Sequence, residues 1–232
     1  MTDDLKTKIK LRPKPETESE LKSRVIELSG KNLAQLASQI HWPVPENLKH
    51  DKGWIGQLIE VHLGASAGNL SQPDFQNLGI ELKTIPLNAN HKAKETTFVC
   101  AVPLLNNIGL AWEDSCVFHK LSRVLWLPVE ASPVIPVAER KVGSGFIWSP
   151  STEEMQALKD DWEEFMELIS LGQVETITAH LGEHLQIRPK AANASVVTTG
   201  IGHDGLRKQT LPRGFYLRTS FTNQILKSIF SS

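Results

Sequence analysis

The chain has 232 residues, with 25 lysines and arginines against 26 aspartates and glutamates, and a formal net charge of −1. This length suits one sizeable core or one domain split into two lobes, and the near-neutral charge excludes a protein that coats nucleic acid non-specifically. The polar N-terminus predicts neither a signal peptide nor a membrane span, so we expect a cytoplasmic protein with no membrane partner.

The N-terminal third is predicted to be a basic arm followed by helices. Residues 1–15 contain five lysines or arginines and two prolines, which predicts a disordered arm. A helix is expected from Thr17 or Glu18 to Leu28, and a second one over residues 33–40. Apolar residues then recur at helical spacing over residues 54–63, and Gly64 is a plausible stop.

Glu60 lies at the border of the apolar stripe of this third helix. A carboxylate in that position is ordinarily a solvated edge residue. The alternative is an acid that turns toward a metal site.

Residues 74–83 contain the order Asp…Glu-x-Lys, formed by Asp74, Glu81 and Lys83. In a strand the side chains at i and i+2 share one face, so Glu81 and Lys83 should project together while Leu82 faces the other way. Asp74 follows Pro73 in a turn that can close back onto the same face. Two carboxylates suit a hard divalent cation such as Mg²⁺, and a nearby lysine suits metal-assisted phosphodiester hydrolysis. A solvated strand face is the alternative.

The rest of the chain alternates strands and helices, which predicts an α/β fold with one mixed sheet. Ser151 and Glu154 form a capping box for a long acidic helix that should end near Leu171. A further helix is expected at residues 173–180, and two strands should bracket a variable loop before a terminal helix at residues 222–230. The predicted strands are residues 78–85, 97–102, 123–129, 145–148, 184–187 and 214–218.

Basic residues concentrate near the C-terminus. Residues 181–232 contain seven lysines and arginines against two acids, so this segment carries +5 and the remainder −6. Such a local excess is typical of a DNA footprint, although a solvated surface would have the same composition. Of the two cysteines, Cys100 lies in an apolar strand and is expected to be a buried, reduced thiol.

Long blocks of this sequence resemble the MutH family of methyl-directed mismatch-repair endonucleases, in the restriction-endonuclease-like superfamily. The resemblance extends from Pro15 to Thr222. It implies one endonuclease domain over residues 16–232, with a mixed central sheet flanked by helices and two lobes around a DNA-binding cleft. The catalytic core would lie at about 45–130 and the DNA-reading part at about 180–232. The blocks include residues 45–49, 51–56, 63–68, 78–86, 95–100, 123–130, 186–194 and 210–217.

The resemblance also implies a catalytic site. Asp74 and Glu81 would bind Mg²⁺, which Mn²⁺ or Ca²⁺ could replace, with Glu60 as a further acid and the Leu82 carbonyl as an extra oxygen ligand. Lys83 would orient or help to deprotonate the attacking water. Lys120 matches a second lysine that the family needs, although the sequence alone would make it a surface charge.

The resemblance further implies the substrate, hemimethylated double-stranded DNA cut at GATC on the unmethylated strand. Tyr216 would sense the adenine N6 position; as the only tyrosine, it would otherwise pass for a core residue. Arg188 and Lys190 would enter the major groove on a loop that Pro189 stiffens. The DNA-binding residues implied are Lys52, Phe98, Arg188, Pro189, Lys190 and Tyr216.

The partners implied by the resemblance are the mismatch-recognition protein MutS and the ATPase MutL, which activate a monomer that makes nicks. Two alternatives stay open. One is a restriction-type enzyme that cuts both strands at GATC, which would need a second catalytic copy or a dimer. The other is a catalytically inactive DNA-binding module.

Overall fold

The computed structural model describes residues 12–49, 51, 53–65, 72–190 and 195–230. The chain divides into two compact units, called here the first and the second unit. The first extends to Glu95 and includes Arg123–Trp148, and the second contains Thr96–Ser122 and the chain from Ser149 onward. Phe98 and Lys120, from the segment predicted to be the catalytic core, therefore belong to the second unit. Within the described ranges, none of the helices has the length and apolar character that a membrane crossing needs.

Helices and strands are mixed along the chain, as the sequence predicts. The helices are α1 (Glu18–Leu28), α2 (Leu33–Gln39), α3 (Trp54–Leu63), α4 (Cys116–Leu121), α5 (Thr152–Ser170) and α6 (Thr219–Phe230). The strands are β1 (Glu81–Leu87), β2 (Thr97–Ala101), β3 (Val124–Glu130), β4 (Phe146–Trp148), β5 (Leu185–Pro189), β6 (Thr198–Ile201), β7 (Arg207–Thr210) and β8 (Arg213–Leu217).

The first unit is a small mixed sheet covered by helices. β3 is its central strand, parallel to β1 and antiparallel to β4, and six of its seven residues are buried. Helices α1 and α2 begin at side-chain caps: Thr17 accepts the Glu20 N–H, and Asn32 forms a capping box with Gln35. Apolar side chains of α1, α2 and α3 form the core with those of β3; they include Leu21, Leu36, Leu58, Ile59 and Leu127.

The second unit contains an antiparallel sheet in which β8 lies between β2 and β5. Helix α5 begins at the predicted capping box of Ser151 and Glu154. Its apolar stripe packs toward this sheet, with the Phe165 ring centroid 6.2 Å from that of Phe215. β6 and β7 form a separate hairpin.

Several expectations need correction. The described strands form three small sheets instead of one mixed sheet, and only the first of them is mixed. The helix expected at residues 173–180 is reduced to one 3₁₀ turn, Val174–Thr176, and the variable loop contains the β6–β7 hairpin. The arm predicted to be disordered includes residues 12–15, which the structure places in contact with the first unit; residues 1–11 lie outside the described part.

Candidate active site

Glu81 and Lys83 lie at the start of β1 and share one face of the strand. Lys83 Nζ donates to Glu81 Oε1 at 2.5 Å, which confirms the expectation from the i, i+2 spacing. The Glu81 side chain is almost completely buried, with 1% of the residue exposed. Its backbone N–H donates to the Arg123 carbonyl at 3.0 Å, just before β3 begins. The parallel pairing of β1 with β3 thus fixes the backbone that carries the carboxylate.

Asp74 reaches the same strand through a tight turn. The Phe75 N–H donates to the Ile80 carbonyl at 2.9 Å and the Ile80 N–H donates back at 3.3 Å. Gly79 has φ +63°, which a residue with a side chain rarely adopts. The turn returns the Asp74 carboxylate to β1, where Oδ2 accepts the Leu82 N–H at 3.0 Å. The predicted closure of this loop onto the strand is confirmed.

Glu60 lies on α3 and is half-buried. The structure does not gather it with Asp74 and Glu81 into a metal-holding group, because the described residues contain no group of three His, Cys, Asp or Glu side chains able to hold a metal ion. Its role as a third acid stays a prediction. Leu82 turns its side chain into the core, with 7% of the residue exposed.

The two acids that are in place fit a hard divalent cation. Asp74 and Glu81 are both buried carboxylates, and oxygen ligands are those that Mg²⁺ takes in proteins. Two carboxylates and the Lys83 ammonium carry a formal charge of −1, and buried charge of one sign is costly without compensation. A bound cation would supply that compensation.

The structure contradicts the interpretation of Lys120 as a surface charge. It lies in α4 of the second unit, and only 6% of the residue is exposed. The helix is short, and the hydroxyl of its N-cap residue Ser115 accepts the Phe118 N–H at 3.0 Å. A lysine is seldom buried so fully unless it has a structural or chemical role.

The residues expected to contact DNA form an aromatic and cationic cluster in the second unit. The rings of Phe98 and Tyr216, on β2 and β8, meet edge to face at 5.3 Å. Lys190 Nζ lies 3.2 Å from the centroid of the Phe98 ring, and the Arg188 guanidinium carbon lies 5.9 Å from that of Tyr216. Both cations belong to exposed residues. Pro189 ends β5 between them, and Lys52 lies outside the described residues.

Gly214 makes this aromatic packing possible. A Cβ at that position would lie 2.8 Å from Phe98 Cε2 and 3.1 Å from Tyr216 Cε2. Burial raises the pKa of the Tyr216 hydroxyl, and the positive charge of Arg188 opposes this shift in part. The hydroxyl therefore stays protonated at neutral pH and can donate a hydrogen bond.

Asp161 is a supporting residue that sequence reasoning missed. The two carboxylate oxygens of this α5 residue accept the backbone N–H groups of Glu183, His184 and Leu185 at 2.8, 2.6 and 2.7 Å. They fix the chain where it enters β5. Among the many acids of α5 no sequence signal distinguishes Asp161.

Glu175 supports the other end of the same sheet. It accepts hydrogen bonds from the Thr210 hydroxyl at 2.5 Å and from Arg213 Nη2 at 2.8 Å. These two residues end β7 and begin β8. Glu175 stands in the 3₁₀ turn where the sequence predicts a helix, so its contacts could not be anticipated.

The fold and site define a mixed α/β protein with a buried acid pair and lysine on one unit and a cationic, aromatic surface on the other. A family model described as "DNA mismatch repair enzyme MutH" matches residues 63–161, which include Asp74, Glu81, Lys83 and Lys120. Three relatives, each named "DNA mismatch repair protein MutH", align over 216 residues, or 93% of this chain. That of Escherichia coli (strain K12) is 56% identical with 94% of its length covered. Those of Vibrio parahaemolyticus and Shewanella baltica (strain OS185) are 55% and 54% identical, with 96% and 97% covered.

The chain belongs to the MutH family of DNA mismatch repair enzymes.

Proposed function

We propose that this protein is a Mg²⁺-dependent endodeoxyribonuclease that nicks the unmethylated strand at hemimethylated GATC sites. The observation that carries the proposal is the convergence of Asp74, Glu81 and Lys83 on β1 in a member of a mismatch-repair enzyme family. Two buried carboxylates that can hold a divalent cation, with a lysine beside them, suit metal-assisted cleavage of a phosphodiester.

Asp74, Glu81 and Lys83 would have different roles in the reaction. Asp74 and Glu81 would hold the metal, with the Leu82 carbonyl and Glu60 as further oxygen donors. Mg²⁺, when bound, lowers the pKa of a water and stabilises charge on the phosphate and the leaving oxygen. Lys83 Nζ, which β1 holds beside Glu81, would orient the attacking water. We assign Lys120 a place in the same machinery, and its burial supports a role other than solubility.

Recognition of GATC would fall to the cluster on β2, β5 and β8. Arg188 and Lys190 can donate to the purine acceptors that line the major groove. Tyr216 would contact the adenine N6 amino group, where a methyl group would meet a ring already packed against Phe98 at 5.3 Å. Pro189 would stiffen the chain between the two cations, and Lys52 and Phe98 would add further DNA contacts.

One active site in a monomer would cut one strand, so the product would be a nick. We place the enzyme in the cytoplasm, where MutS and MutL would activate it on DNA that contains a mismatch. This assignment rests on the family relationship, because the relatives are named as mismatch repair proteins.

Cleavage of three GATC duplexes that differ only in adenine methylation tests the proposal. With Mg²⁺, MutS and MutL on a mismatched substrate, we expect nicks in unmethylated and hemimethylated DNA, confined in the latter to the unmethylated strand. Fully methylated DNA and reactions with EDTA should give no product. A duplex with one base of GATC changed is the matched control.

The other outcomes identify the alternative functions. Simultaneous cleavage of both strands without MutS and MutL would indicate a restriction-type enzyme. Tight GATC binding with no metal-dependent product would indicate a DNA-binding module.

A further inference from the structure

An extended segment at the N-terminus, Arg12–Glu16, crosses the first unit beside the elements that carry its acids. We call this segment the strap. Pro15 is buried, and Arg12 Nη1 forms an ion pair with Glu27 of α1 at 2.8 Å. The strap is therefore anchored at both ends and leads directly into α1.

The strap's first contact is at the C-terminal end of α3, the helix that bears Glu60. Arg24, a buried residue of α1, donates from Nη1 to the Pro13 carbonyl at 2.6 Å and to the Leu63 carbonyl at 2.7 Å. One guanidinium nitrogen thus joins the strap to the last turn of α3. Leu63 O is one of the carbonyls that a helix end leaves without an intrahelical partner.

Gly64 shows how close this contact is. With φ +80° it ends α3 in the left-handed conformation. A Cβ on Gly64 would collide with the Pro13 carbonyl oxygen and would lie 2.7 Å from Arg24 Nη1 and 3.0 Å from the Arg12 carbonyl oxygen. Only a residue without a side chain leaves room for the strap.

The second contact is on the turn that carries Asp74. Asn77 Nδ2 donates to the Pro15 carbonyl at 2.9 Å. Asn77 lies three residues after Asp74, inside the turn that the Phe75–Ile80 hydrogen bonds close. The strap therefore contacts the chain both before Asp74, at Gly64, and after it, at Asn77.

The third contact lies just beyond the strap, at the beginning of α1. Glu18 Oε2 pairs with Arg123 Nη2 at 2.5 Å, and the Arg123 carbonyl accepts the Glu81 N–H at 3.0 Å. The same N-terminal stretch thus touches the supports of Glu60, Asp74 and Glu81. A residue that holds a metal ligand in its position commonly increases the affinity of the site for the metal.

We propose that the strap positions the acids of the metal site, with Asn77 as the positioning residue that couples it to the Asp74 turn. This inference rests on the proposed function, since it assigns the strap a role in the Mg²⁺ site suggested above. The strap fixes the chain on both sides of Asp74, which limits the separation of Asp74 from Glu81 on β1. Loss of the Asn77 contact would leave the fold intact and the acid pair less well placed for Mg²⁺.

Substitution at Asn77 in the full-length protein tests the proposal. Asn77→Ala removes the amide that donates to Pro15, Asn77→Gln keeps an amide donor, and Asn90→Ala removes an exposed asparagine from another turn of the same unit. The first measurement is the rise in thermal unfolding temperature with Mg²⁺ concentration, made without DNA. The second is nicking of hemimethylated GATC at varied Mg²⁺ and DNA concentrations.

For Asn77→Ala we expect the Mg²⁺ midpoint to rise about tenfold in both measurements, as is usual when a supporting partner of a metal ligand is removed. At a fixed, subsaturating Mg²⁺ concentration kcat should fall while KM for DNA stays unchanged, because the residues proposed to read the bases, Arg188, Lys190 and Tyr216, lie in or next to β5 and β8. Asn77→Gln should recover most of the loss, and Asn90→Ala should match the parent.

Two results would overturn the proposal in distinguishable ways. If the parent binds Mg²⁺ and nicks GATC, and Asn77→Ala shows the same Mg²⁺ midpoint and kcat, the strap has no positioning role while the proposed function stands. If the parent neither responds to Mg²⁺ nor nicks GATC, the proposed function fails, and the role of the strap fails with it.

Discussion

The acid pair of the first unit and the exposed cations beside Phe98 and Tyr216 in the second unit are held in opposite ways. In the first, Asp74 and Glu81 are 6% and 1% exposed, and the backbone of β1 and the Lys83 ammonium contact them directly. In the second, Arg188 and Lys190 are exposed and lie against aromatic rings. The first arrangement suits chemistry at a fixed point, and the second suits contact with an external partner.

This difference follows from the cost of desolvation. A buried carboxylate is stable only when hydrogen bonds or cations compensate for the lost water, so its position is narrowly defined. An exposed cation keeps its water and can change partner, while a cation–π contact contributes only about 0.5–1 kcal/mol at the surface. Substitutions at the acid pair should therefore abolish a reaction, and those at the exposed cations should change affinity or sequence preference.

The largest effect is expected at the acid pair. Asp74→Ala or Glu81→Ala should lower the nicking rate by more than about 100-fold, because even the partners of metal ligands cost 10–100-fold when removed. Binding to GATC DNA should persist, since the DNA-reading residues are unchanged. Nicking assays and DNA-binding measurements on the same preparations check both parts.

Glu139→Ala, which removes an exposed acid of the first unit, serves as the control for the acid pair and should nick like the parent. Mg²⁺-dependent cleavage at the parental rate by either acid variant would contradict the assignment of the metal site.

The next largest effect is expected at Asp161, which supports the beginning of β5, the strand that carries Arg188. Asp161→Ala removes the acceptor of three backbone N–H groups at the beginning of β5. We expect the free energy of unfolding to fall by about 2–3 kcal/mol, the usual penalty for buried donors left without a partner. Denaturant unfolding with tryptophan fluorescence would measure it.

Asp160→Ala is the matched control, because Asp160 is an exposed neighbour on the same helix. A change of at most about 0.5 kcal/mol is expected there. Equal destabilisation by the two substitutions would contradict the supporting role of Asp161.

Sequence patterns predicted the geometry of the acid pair better than that of the residues proposed to contact DNA, for a physical reason. The placement of Glu81 beside Lys83 follows from the two-residue period of a strand, and closure of the Asp74 turn follows from local chain geometry. Both depend on residues close in sequence. The contact of Lys190 with Phe98 joins residues 92 positions apart, and no local pattern encodes it.

The sequence predictions that were wrong also concern features that local sequence patterns do not encode. β6 and β7 are rich in polar residues and show no apolar alternation, so the pattern that reveals a strand was missing. Lys120 is charged, and charge usually predicts exposure, yet tertiary packing buries it. The strap contains prolines and basic residues that suggest disorder, whereas contacts with distant residues such as Asn77 hold it in place.

A smaller effect is expected at Lys190, one of the residues proposed to read the bases. Lys190→Ala should reduce the discrimination between GATC and one-base variants by about 1–3 kcal/mol, if Lys190 reads a base edge. Competition binding at one fixed salt concentration measures it, because DNA affinity falls steeply with salt. An equal loss of affinity for every sequence would make Lys190 a phosphate contact instead. Lys227→Ala, which removes an exposed lysine of α6, controls for net charge.

The smallest effect is a pH dependence of stability that arises from Glu175 in the second unit. The hydrogen bond from Thr210 lowers the pKa of the Glu175 carboxyl below its ordinary value of 4.5, and the charges of Arg213 and Lys208 add to this shift. Because the pKa is lower in the folded state, the stabilisation is fully present above pH 4.5 and is lost as the pH falls through the folded-state pKa.

The side chain of Glu175 is half exposed, so solvent screening should limit its contribution to less than about 1 kcal/mol. Glu175→Gln keeps the shape and an acceptor oxygen but cannot titrate. We therefore expect its free energy of unfolding to fall less steeply than that of the parent below pH 4.5. Parallel unfolding curves for the two proteins across this range would show that the contacts with Thr210 and Arg213 do not depend on the carboxylate charge.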